Sequence, residues 1–231
     1  RIIIGPKKLH QQDKKIYDRI KYSNYRNGEY DRIGEVSLLL AKLMLPKNNL
    51  AQYLLELDKI ASDMDRASIG VTTLMDQISS LTDVLYRQYG YHGDVKSYND
   101  KKNANLMDVI DRRKGLPVAL GILVIHAARS QKWNISGLNF PGHFLLQLSK
   151  HGENAIIDPF HEVRLMPPHA IESSLKNIYG SKAKLEVEFT RKVSDRDILI
   201  RLQNNIKSRA LQEGDDKRAI EILGSMNLIA P

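Results

Sequence analysis

The chain has 231 residues, which is enough for one sizeable hydrophobic core and a small appended module. An apolar fraction of 42% beside 27% charged residues excludes a disordered chain, and the total absence of cysteine excludes disulfides, zinc–thiolate sites and thiol chemistry. The net charge of +8 favours an acidic partner, and the lack of any long apolar run predicts a cytoplasmic protein without a membrane span.

The first 32 residues are basic and rich in tyrosine. They contain nine Lys or Arg residues against four Asp or Glu, a net charge of +5, so most of the positive excess lies here. Basic side chains among aromatic rings can contact a phosphate backbone while the rings stack on bases. The plainer interpretation is a charged helix or arm whose tyrosines pack on the body. Both interpretations concern Tyr17, Tyr22, Tyr25 and Tyr30.

Three amphipathic helices are predicted next. The run EVSLLLAKLML ends at Pro46, and apolar residues then recur every three or four positions from Leu50 to Met64. A third helix is predicted in TTLMDQISSLTDVLYRQYG, where leucine and isoleucine form one apolar stripe and Gly90 is the C-terminal stop.

The middle of the chain predicts a short helix followed by a buried one. NANLMDVIDRRKG carries three basic residues from Arg112 to Lys114, whose charges suit the last turn of a helix, and Gly115 ends it. Pro117 suits the first turn of the next helix, and VALGILVIHAAR is apolar on nearly every side, as expected for a central core helix. On this helix we expect His126 to be a hydrogen-bonded core residue.

Beyond Gln131 the pattern changes to short runs that favour strands. GHFLLQL, NAIIDPF and KLEVEF predict an antiparallel sheet on the central helix, with His143 at the start of the first strand. From Ser194 to Pro231, two helical runs with a turn at Gly214 predict a hairpin. The expected class is α+β, with a mostly helical N-terminal part, a central helix against a small antiparallel sheet, and a C-terminal helical hairpin.

Three positions, taken in chain order, indicate an acyl-transfer scaffold. Papain-type chemistry needs a thiolate at a helix N-terminus, a histidine on a facing strand to take its proton, and an acid on the next strand to orient the imidazole. The sequence supplies a helix start at residues 115–117, a histidine at His143 and an acid at Asp158. It supplies no cysteine for the first of these roles.

The motifs YGYHGD, DRRKGLP, PGHF and DPF together carry a family resemblance. Across residues 33–231 the chain resembles bacterial transglutaminase-like proteins with a tetratricopeptide tail, which are described as regulators of SirC expression. The resemblance implies a transglutaminase-like, papain-like core with N-terminal helices at residues 33–192 and a tetratricopeptide-like (TPR-like) hairpin at residues 193–231, and the basic composition marks residues 1–32 as a separate leader. The tail fits that repeat only in part. Ala219 and Leu223 match its usual small and large positions, but Gln203, Lys207 and Ala210 stand where Trp, Gly and Tyr are usual.

The resemblance also implies site residues. His143 falls at the family's histidine and Asp158 at its acid, and the cysteine position falls among three residues that cannot attack a carbonyl, Pro117, Val118 and Ala119. Further residues are predicted to shape the cleft or bind in it: Tyr98, Asp111, Arg112, Arg113, Gly115, Pro141 and Gly142. For the run from Asp111 to Arg113 a solvated helix end is an equally good interpretation, and for Tyr98 a simple turn.

Histidines near Asp158 raise the question of a metal site. The spacings of His143, His151, His161 and His169 match no known ligand signature, so we expect loop histidines, no metal and no cofactor. The pair of His143 and Asp158 also has a plain interpretation, in which a partly buried ring N–H satisfies a carboxylate.

A catalytic scaffold without its nucleophile predicts a catalytically silent transglutaminase-like protein, one that acts as a protein-interaction or regulatory module through its cleft and tail. An alternative is a hydrolase of altered mechanism, in which His143 and Asp158 activate water. A weaker alternative is nucleic-acid contact through residues 1–32. We expect a protein partner and no membrane partner.

Overall fold

The computed structural model describes residues 11–229, in which helices surround one small sheet. The α-helices in this part of the chain are α1 Gln11–Lys21, α2 Ile33–Met44, α3 Leu50–Ala67, α4 Leu74–Leu81, α5 Leu106–Arg112, α6 Pro117–Ser130, α7 Pro168–Tyr179, α8 Asp195–Gln212 and α9 Asp216–Ile229. The strands are β1 Tyr25–Arg26, β2 Glu29–Tyr30, β3 His92–Gly93, β4 Lys114–Gly115, β5 Asn134–Leu138, β6 Leu146–Lys150, β7 Glu153–Asp158, β8 Arg164–Leu165 and β9 Lys192–Val193.

The main sheet has five antiparallel strands in the order β8-β7-β6-β5-β9. Its register pairs Leu146 at the start of β6 with Ile157 near the end of β7, so the chain just before β6 lies beside the chain just after β7. Two smaller pairs complete the strands: β1 and β2 form a hairpin, and β3 runs parallel to β4. The mixture of helices with a small sheet agrees with the predicted fold class.

Helix α6 is the centre of the core, as the sequence predicts. Every residue from Pro117 to Ala128 is buried, with α2 and α3 on one side and β5 on the other. Pro117 holds the first helical position, where its missing N–H costs nothing, and Leu116 before it is extended, as a residue preceding proline prefers. His126 is 8% exposed and its Nε2 lies 3.0 Å from the carbonyl of Leu57, so the prediction of a hydrogen-bonded core histidine is confirmed.

The segment from Thr73 to Gly90 is helical throughout but changes its pitch. Thr73 forms a capping box with Asp76 at the start of α4, and after Leu81 the chain continues as a π-helix over Thr82–Gln88. The helix stops before Gly90, whose φ of +73° suits a left-handed stop. The sequence therefore predicts where this helical segment begins and ends, but not that its final turns are a π-helix.

Three predictions about secondary structure are wrong. His143 does not begin a strand: a tight turn in which its N–H donates to the carbonyl of Pro141 (2.7 Å) delays β6 to Leu146. KLEVEF is not a strand, because its apolar residues do not share one buried face: Phe189 packs on a small apolar cluster and on Tyr179, whereas Leu185 is 40% exposed. Val187 within it is 89% exposed and starts a 3₁₀ turn. The first strand of the sheet is instead Asn134–Leu138, whose central serine and glycine hide its strand character.

Helix α5 ends earlier than predicted. Arg113 adopts a left-handed conformation (φ +59°) immediately after Arg112, and Lys114 and Gly115 leave the helix to pair with His92 and Gly93. The basic run therefore does not form the last turn of one helix. Its three residues lie in three different local structures and make separate contacts.

The two predicted C-terminal helices are present, and they are part of the body of the protein. Helix α8 packs against α9, α6 and β2. At its first residue, the buried Asp195 carboxylate accepts hydrogen bonds from Arg129 of α6 (2.6 and 3.0 Å) and from the backbone N–H of Tyr30 (2.8 Å). One carboxylate thus joins the N-terminal hairpin, the central helix and the tail.

Part of the basic leader also belongs to the folded body. Tyr30 is buried and its ring lies 4.8 Å from that of Tyr25, over which Arg196 of α8 stacks at 4.0 Å. Tyr22 is 76% exposed. Residues 1–10, which carry much of the predicted basic arm, lie outside the described residues. Within residues 11–229, no helix has the length and apolar character needed to cross a membrane.

Candidate functional site

The structure places His143 and Asp158 in direct contact. Asp158 is the last residue of β7 and is 2% exposed. Its Oδ1 lies 2.9 Å from Nε2 of His143 and accepts the backbone N–H of Phe160, also at 2.9 Å. The sheet register produces this contact, because the turn before β6 lies next to the residues that follow β7.

A second histidine contacts the same carboxylate. Nδ1 of His161 lies 2.7 Å from Oδ2 of Asp158, and the guanidinium of Arg164, its cross-strand partner on β8, is 3.8 Å from that oxygen. Burial alone would raise the pKa of the Asp158 carboxyl, but the hydrogen bonds and charges of His143 and His161 outweigh it and hold this pKa below its ordinary value. Asp158 is therefore an ionised, buried acceptor.

The imidazole of His143 is fixed on one side and open on the other. The ring of Phe160 packs edge-on against it, with centroids 6.1 Å apart and planes at 89°. Among the described residues, Nδ1 of His143 has no hydrogen-bond partner, and the side chain is 23% exposed. When Nε2 donates to Asp158, the neutral ring carries its free lone pair on Nδ1, as a general base requires.

Two glycines make room for the side chain that follows His143. A Cβ on Gly121 of α6 would lie 2.5 Å from Cε1 of Phe144, and a Cβ on Gly137 of β5 would lie 3.0 Å from its Cζ. The ring of Phe144 therefore fills a slot between the central helix and the sheet that only glycine leaves open. This packing fixes the backbone that carries His143.

A cavity of about 230 Å³ lies between His143 and the start of α6. Pro117 and Val118 form its wall where the resemblance places the cysteine, and neither they nor the buried Ala119 can act as a nucleophile. Ser130 lies at the opposite end of α6, where its hydroxyl donates to the carbonyl of Ala127 (2.8 Å). The helix start, imidazole and acid are thus arranged around a space whose lining, in the part of the chain that the structure describes, contains no cysteine, serine or threonine.

Helix α8 closes the other side of this cavity, which sequence reasoning did not predict. Arg201 and Asn205 line the cavity, and Arg201 donates to the carbonyls of Phe140 (3.1 Å) and His143 (2.7 Å). These two hydrogen bonds make Arg201 a clamp on the turn that carries His143. Burial lowers the pKa of its guanidinium. The one sequence signal for this role is an arginine within the otherwise apolar run ILIRL.

A larger depression lies beside the cavity along α8. This depression has a volume of about 450 Å³ and shares Phe144, Arg201 and Asn205 with the smaller cavity. Asn204 and Ser208 extend its lining along the helix. The two spaces adjoin at Phe144, Arg201 and Asn205, and together we call them the groove, which runs from His143 along α8.

The predicted cleft residues separate into two groups in the structure. Tyr98 and Gly142 line the cavity, and Pro141 belongs to the turn that carries His143. Asp111 accepts a hydrogen bond from the Tyr53 hydroxyl of α3 (2.8 Å), which is away from the cavity.

Arg113 also faces α3, where its guanidinium donates to Glu56 (2.5 Å) and to the hydroxyl of Tyr91 (2.6 Å). Arg112 bridges Asn103 (3.1 Å) and Asp94 (3.3 Å), and Gly115 of β4 pairs with Gly93. These residues support the segment that leads into α6 and do not line the cavity.

Asp94 is the anchor of that supporting segment. It is 3% exposed, and its carboxylate accepts from Lys114 (3.0 Å), Arg112 (3.3 Å) and the N–H of Ser97 (3.0 Å). Burial alone would raise the pKa of the Asp94 carboxyl, but the hydrogen bonds from Lys114 and Ser97 hold it below its ordinary value of 3.8. A carboxyl whose pKa is depressed on folding stabilises the fold at neutral pH and loses that contribution in acid.

We therefore expect Asp94→Asn to lower the free energy of unfolding by about 1–3 kcal/mol at pH 7. The difference from wild type shrinks as the pH falls below 3.8 and through the folded-state pKa, because wild-type Asp94 then becomes protonated. Urea denaturation at a series of pH values measures this, with the exposed Asp216→Asn as the matched control. An Asp94→Asn deficit that persists unchanged in acid would contradict the role assigned to the carboxylate.

The structure also brings together a set of metal-type ligands that the sequence spacing concealed. Donor atoms of His143, Asp158 and His161 all lie within 4.8 Å of one another. The signal for His161 was its position three residues after Asp158, in the 3₁₀ turn of residues 159–161. His151 lies in the turn at the opposite end of β6 and β7, and His169 lies on α7.

This arrangement of helix start, histidine and acid defines a transglutaminase-like site, and the comparison of sequences agrees. Residues 51–204 match the Transglutaminase-like superfamily, and the chain belongs to this superfamily. The match extends into the first half of α8, the helix that closes the cavity.

Its curated relatives include bacterial UPF0162 proteins. The chain is 29% identical to one from Vibrio cholerae over 180 residues, which cover 78% of this chain and 66% of the relative. It is 27% identical to one from Pseudomonas aeruginosa over 187 residues, which cover 81% of this chain and 68% of the relative. A shorter match to mouse F-box only protein 21 is 31% identical over 83 residues, which cover 36% of this chain and 13% of that protein. The chain spans 48–66% of the length of the first relatives it matches. No solved structure matches it significantly.

Proposed function

We propose that this protein is a catalytically silent transglutaminase-like domain that binds an extended protein segment in the groove between His143 and α8. The observation that carries the proposal is the open cavity of about 230 Å³ beside a nucleophile position that consists of Pro117, Val118 and Ala119. The cleft is not filled by side chains although the nucleophile position is inert, which favours a bound ligand over a collapsed relic.

The groove suits a peptide backbone in particular. Asn204 and Ser208 present an amide and a hydroxyl along α8, while the amide of Asn205 already bonds to Arg201 and Arg209, and Phe144 contributes an apolar surface. Side-chain amides can both donate to and accept from an extended main chain, and an apolar surface adds burial without demanding one sequence. These residues support recognition of a protein segment rather than of a compact small molecule.

Finer parts of this proposal rest on the resemblance and on the arrangement of the tail. A regulatory role, like that described for the SirC regulators, is consistent with a binding domain that has no thiol chemistry. The α8–α9 hairpin supports the TPR-like tail as a second contact surface, with the leader at residues 1–32 and the core at residues 33–192. A cytoplasmic location completes the proposal.

A blocking substitution tests the groove. A peptide selected from a displayed library against the wild-type protein should bind Ser208→Trp roughly tenfold or more weakly, because an indole at this exposed position fills the groove. Gln212→Trp, on an exposed part of the same helix outside the groove, is the matched control and should bind as wild type does. Equal binding by both variants, measured by fluorescence anisotropy, would reject the groove as the binding site.

A second candidate is favoured by the open Nδ1 of His143, which could take a proton from water for hydrolysis of an amide or ester. Incubation with glutamine peptides and amine donors, and separately with activated esters, distinguishes the two functions. The silent domain gives neither cross-linked nor deamidated nor hydrolysed product. Steady turnover that is lost in His143→Ala would establish the hydrolase instead.

Nucleic-acid contact through residues 1–32 stays a third prediction. Deleting this segment is a poor test, because Tyr30 and α1 pack on the body. Lys14→Glu with Lys15→Glu, at two exposed positions, leaves that packing in place. Binding of DNA or RNA at low salt that this pair of substitutions does not weaken would exclude the leader as the contact.

A further inference from the structure

We propose that His143, Asp158 and His161 form a binding site for a divalent transition-metal ion of the zinc class. His143 lies in the turn before β6, Asp158 is the last residue of β7, and His161 ends the 3₁₀ turn that follows it. Their donor atoms lie within 4.8 Å of one another, with Nε2 of His143 and Nδ1 of His161 on the two oxygens of the Asp158 carboxylate (2.9 and 2.7 Å). The inference is independent of peptide binding in the groove.

The donor set fits this class of ion. Two imidazole nitrogens and one carboxylate oxygen are ligands that zinc and its neighbours prefer, and three protein ligands leave a coordination position for water or another ligand. Calcium and magnesium prefer oxygen ligands alone, so the two nitrogens argue against them. The Asp158 side chain is only 2% exposed, but that of His161 is 45% exposed. An ion can therefore reach the buried carboxylate from the side of His161.

The surroundings hold two of the three ligands in position. The N–H of Phe160 donates to Oδ1 of Asp158, and Arg201 donates to the carbonyl of His143 (2.7 Å). Such outer contacts orient metal ligands in known sites. His161 is the exposed last residue of a turn whose other two residues are buried, and its side chain can adjust to the ion. Donor atoms around a tetrahedral zinc lie about 3.3 Å apart, which follows from bond lengths near 2.0–2.1 Å.

One nearby charge opposes a cation. Arg164 lies 3.8 Å from Oδ2 of Asp158 and is 59% exposed at its side chain. In a purely hydrogen-bonded cluster this arginine is a weak surface partner of the carboxylate. In a metal site it repels the bound ion. Removing Arg164 therefore strengthens the binding of a metal ion, whereas in a purely hydrogen-bonded cluster it removes a weak stabilising contact.

Titration with Zn²⁺ and Co²⁺ tests the site in tag-free, chelator-treated protein. We expect one Zn²⁺ per chain by calorimetry, and for Co²⁺ the intense visible absorption of a four-coordinate ion. His161→Ala should weaken Zn²⁺ binding by roughly 100-fold or more through loss of a direct ligand, and His143→Ala should do the same. His169→Ala, an exposed histidine outside the cluster, is the matched control and should bind as wild type does.

Arg164→Gln gives the sharpest distinction, because it should tighten Zn²⁺ binding by roughly threefold through removal of a positive charge. Circular dichroism verifies that each variant is folded. Zn²⁺ binding that is absent from folded wild-type protein, or equal in wild type and His161→Ala, would overturn the proposal. Because Ser208→Trp blocks the groove without touching these ligands, metal binding and peptide binding can fail separately.

Discussion

Replacing Asp195 with alanine lowers the free energy of unfolding by about 3–5 kcal/mol. The carboxylate is 1% exposed and satisfies both Arg129, whose side chain is 17% exposed, and the N–H of Tyr30. Its removal leaves a largely buried guanidinium without its main partner and a buried backbone N–H without an acceptor, and both groups then bear the cost of desolvation. Urea denaturation followed by far-ultraviolet circular dichroism measures the loss.

Glu29→Ala is the matched control, because Glu29 pairs with the same arginine (3.1 Å) but is 53% exposed. We expect it to cost less than about 1 kcal/mol, as exposed ion pairs generally do. If Asp195→Ala were as mild as Glu29→Ala, the carboxylate would not be the junction between α6, α8 and the N-terminal hairpin.

Replacing Gly121 with valine is expected to lower the free energy of unfolding by about 3 kcal/mol. A Cβ at this position would lie 2.5 Å from Cε1 and 2.7 Å from Cδ1 of Phe144, a ring that is itself fully buried. Gly224→Val on α9 is the matched control, because it makes the same change inside a helix where no atom lies within 4 Å of the added Cβ. This control should be neutral or slightly stabilising, since valine is a better helix former than glycine.

The clash also predicts a rescue. Phe144→Leu alone leaves a cavity and destabilises the protein. Combined with Gly121→Val, the smaller leucine leaves space that the valine side chain can occupy. We expect the double variant to be more stable than the sum of the single effects by about 1 kcal/mol or more. Additive effects, measured by denaturation of all four proteins, would mean that Gly121 and Phe144 do not share one space.

Most helices were predicted well from the sequence, although α7 Pro168–Tyr179 was not predicted. Their apolar periodicity and stop signals are local, so α6 could be recognised as buried from its composition alone, and the hairpin turn from Gly214. The strands were predicted less well because their stability depends on neighbours. Asn134–Leu138 is a strand owing to its pairing with β6, and KLEVEF is not one because Phe189 packs on the body while Val187 lies in solvent.

The candidate site shows the same division between local and distant information. The motif resemblance identified His143 and Asp158, and their contact follows from adjacent turns of one sheet. Arg201 could not be found in this way, since it reaches the cavity only through the packing of α8 on the core. Arg113 was expected at the cleft because it is close in sequence to the start of α6, but its left-handed backbone turns it toward α3.

Helix α8 is at once a wall of the cavity, through Arg201, and half of the C-terminal hairpin. Local opening of the tail must therefore break the clamp on the carbonyl of His143. In native-state hydrogen exchange, the amides of α8 and those of the turn before β6 should then exchange as one cooperative unit. A ligand in the groove should slow exchange in α9 as well, at a distance from any atom that it touches.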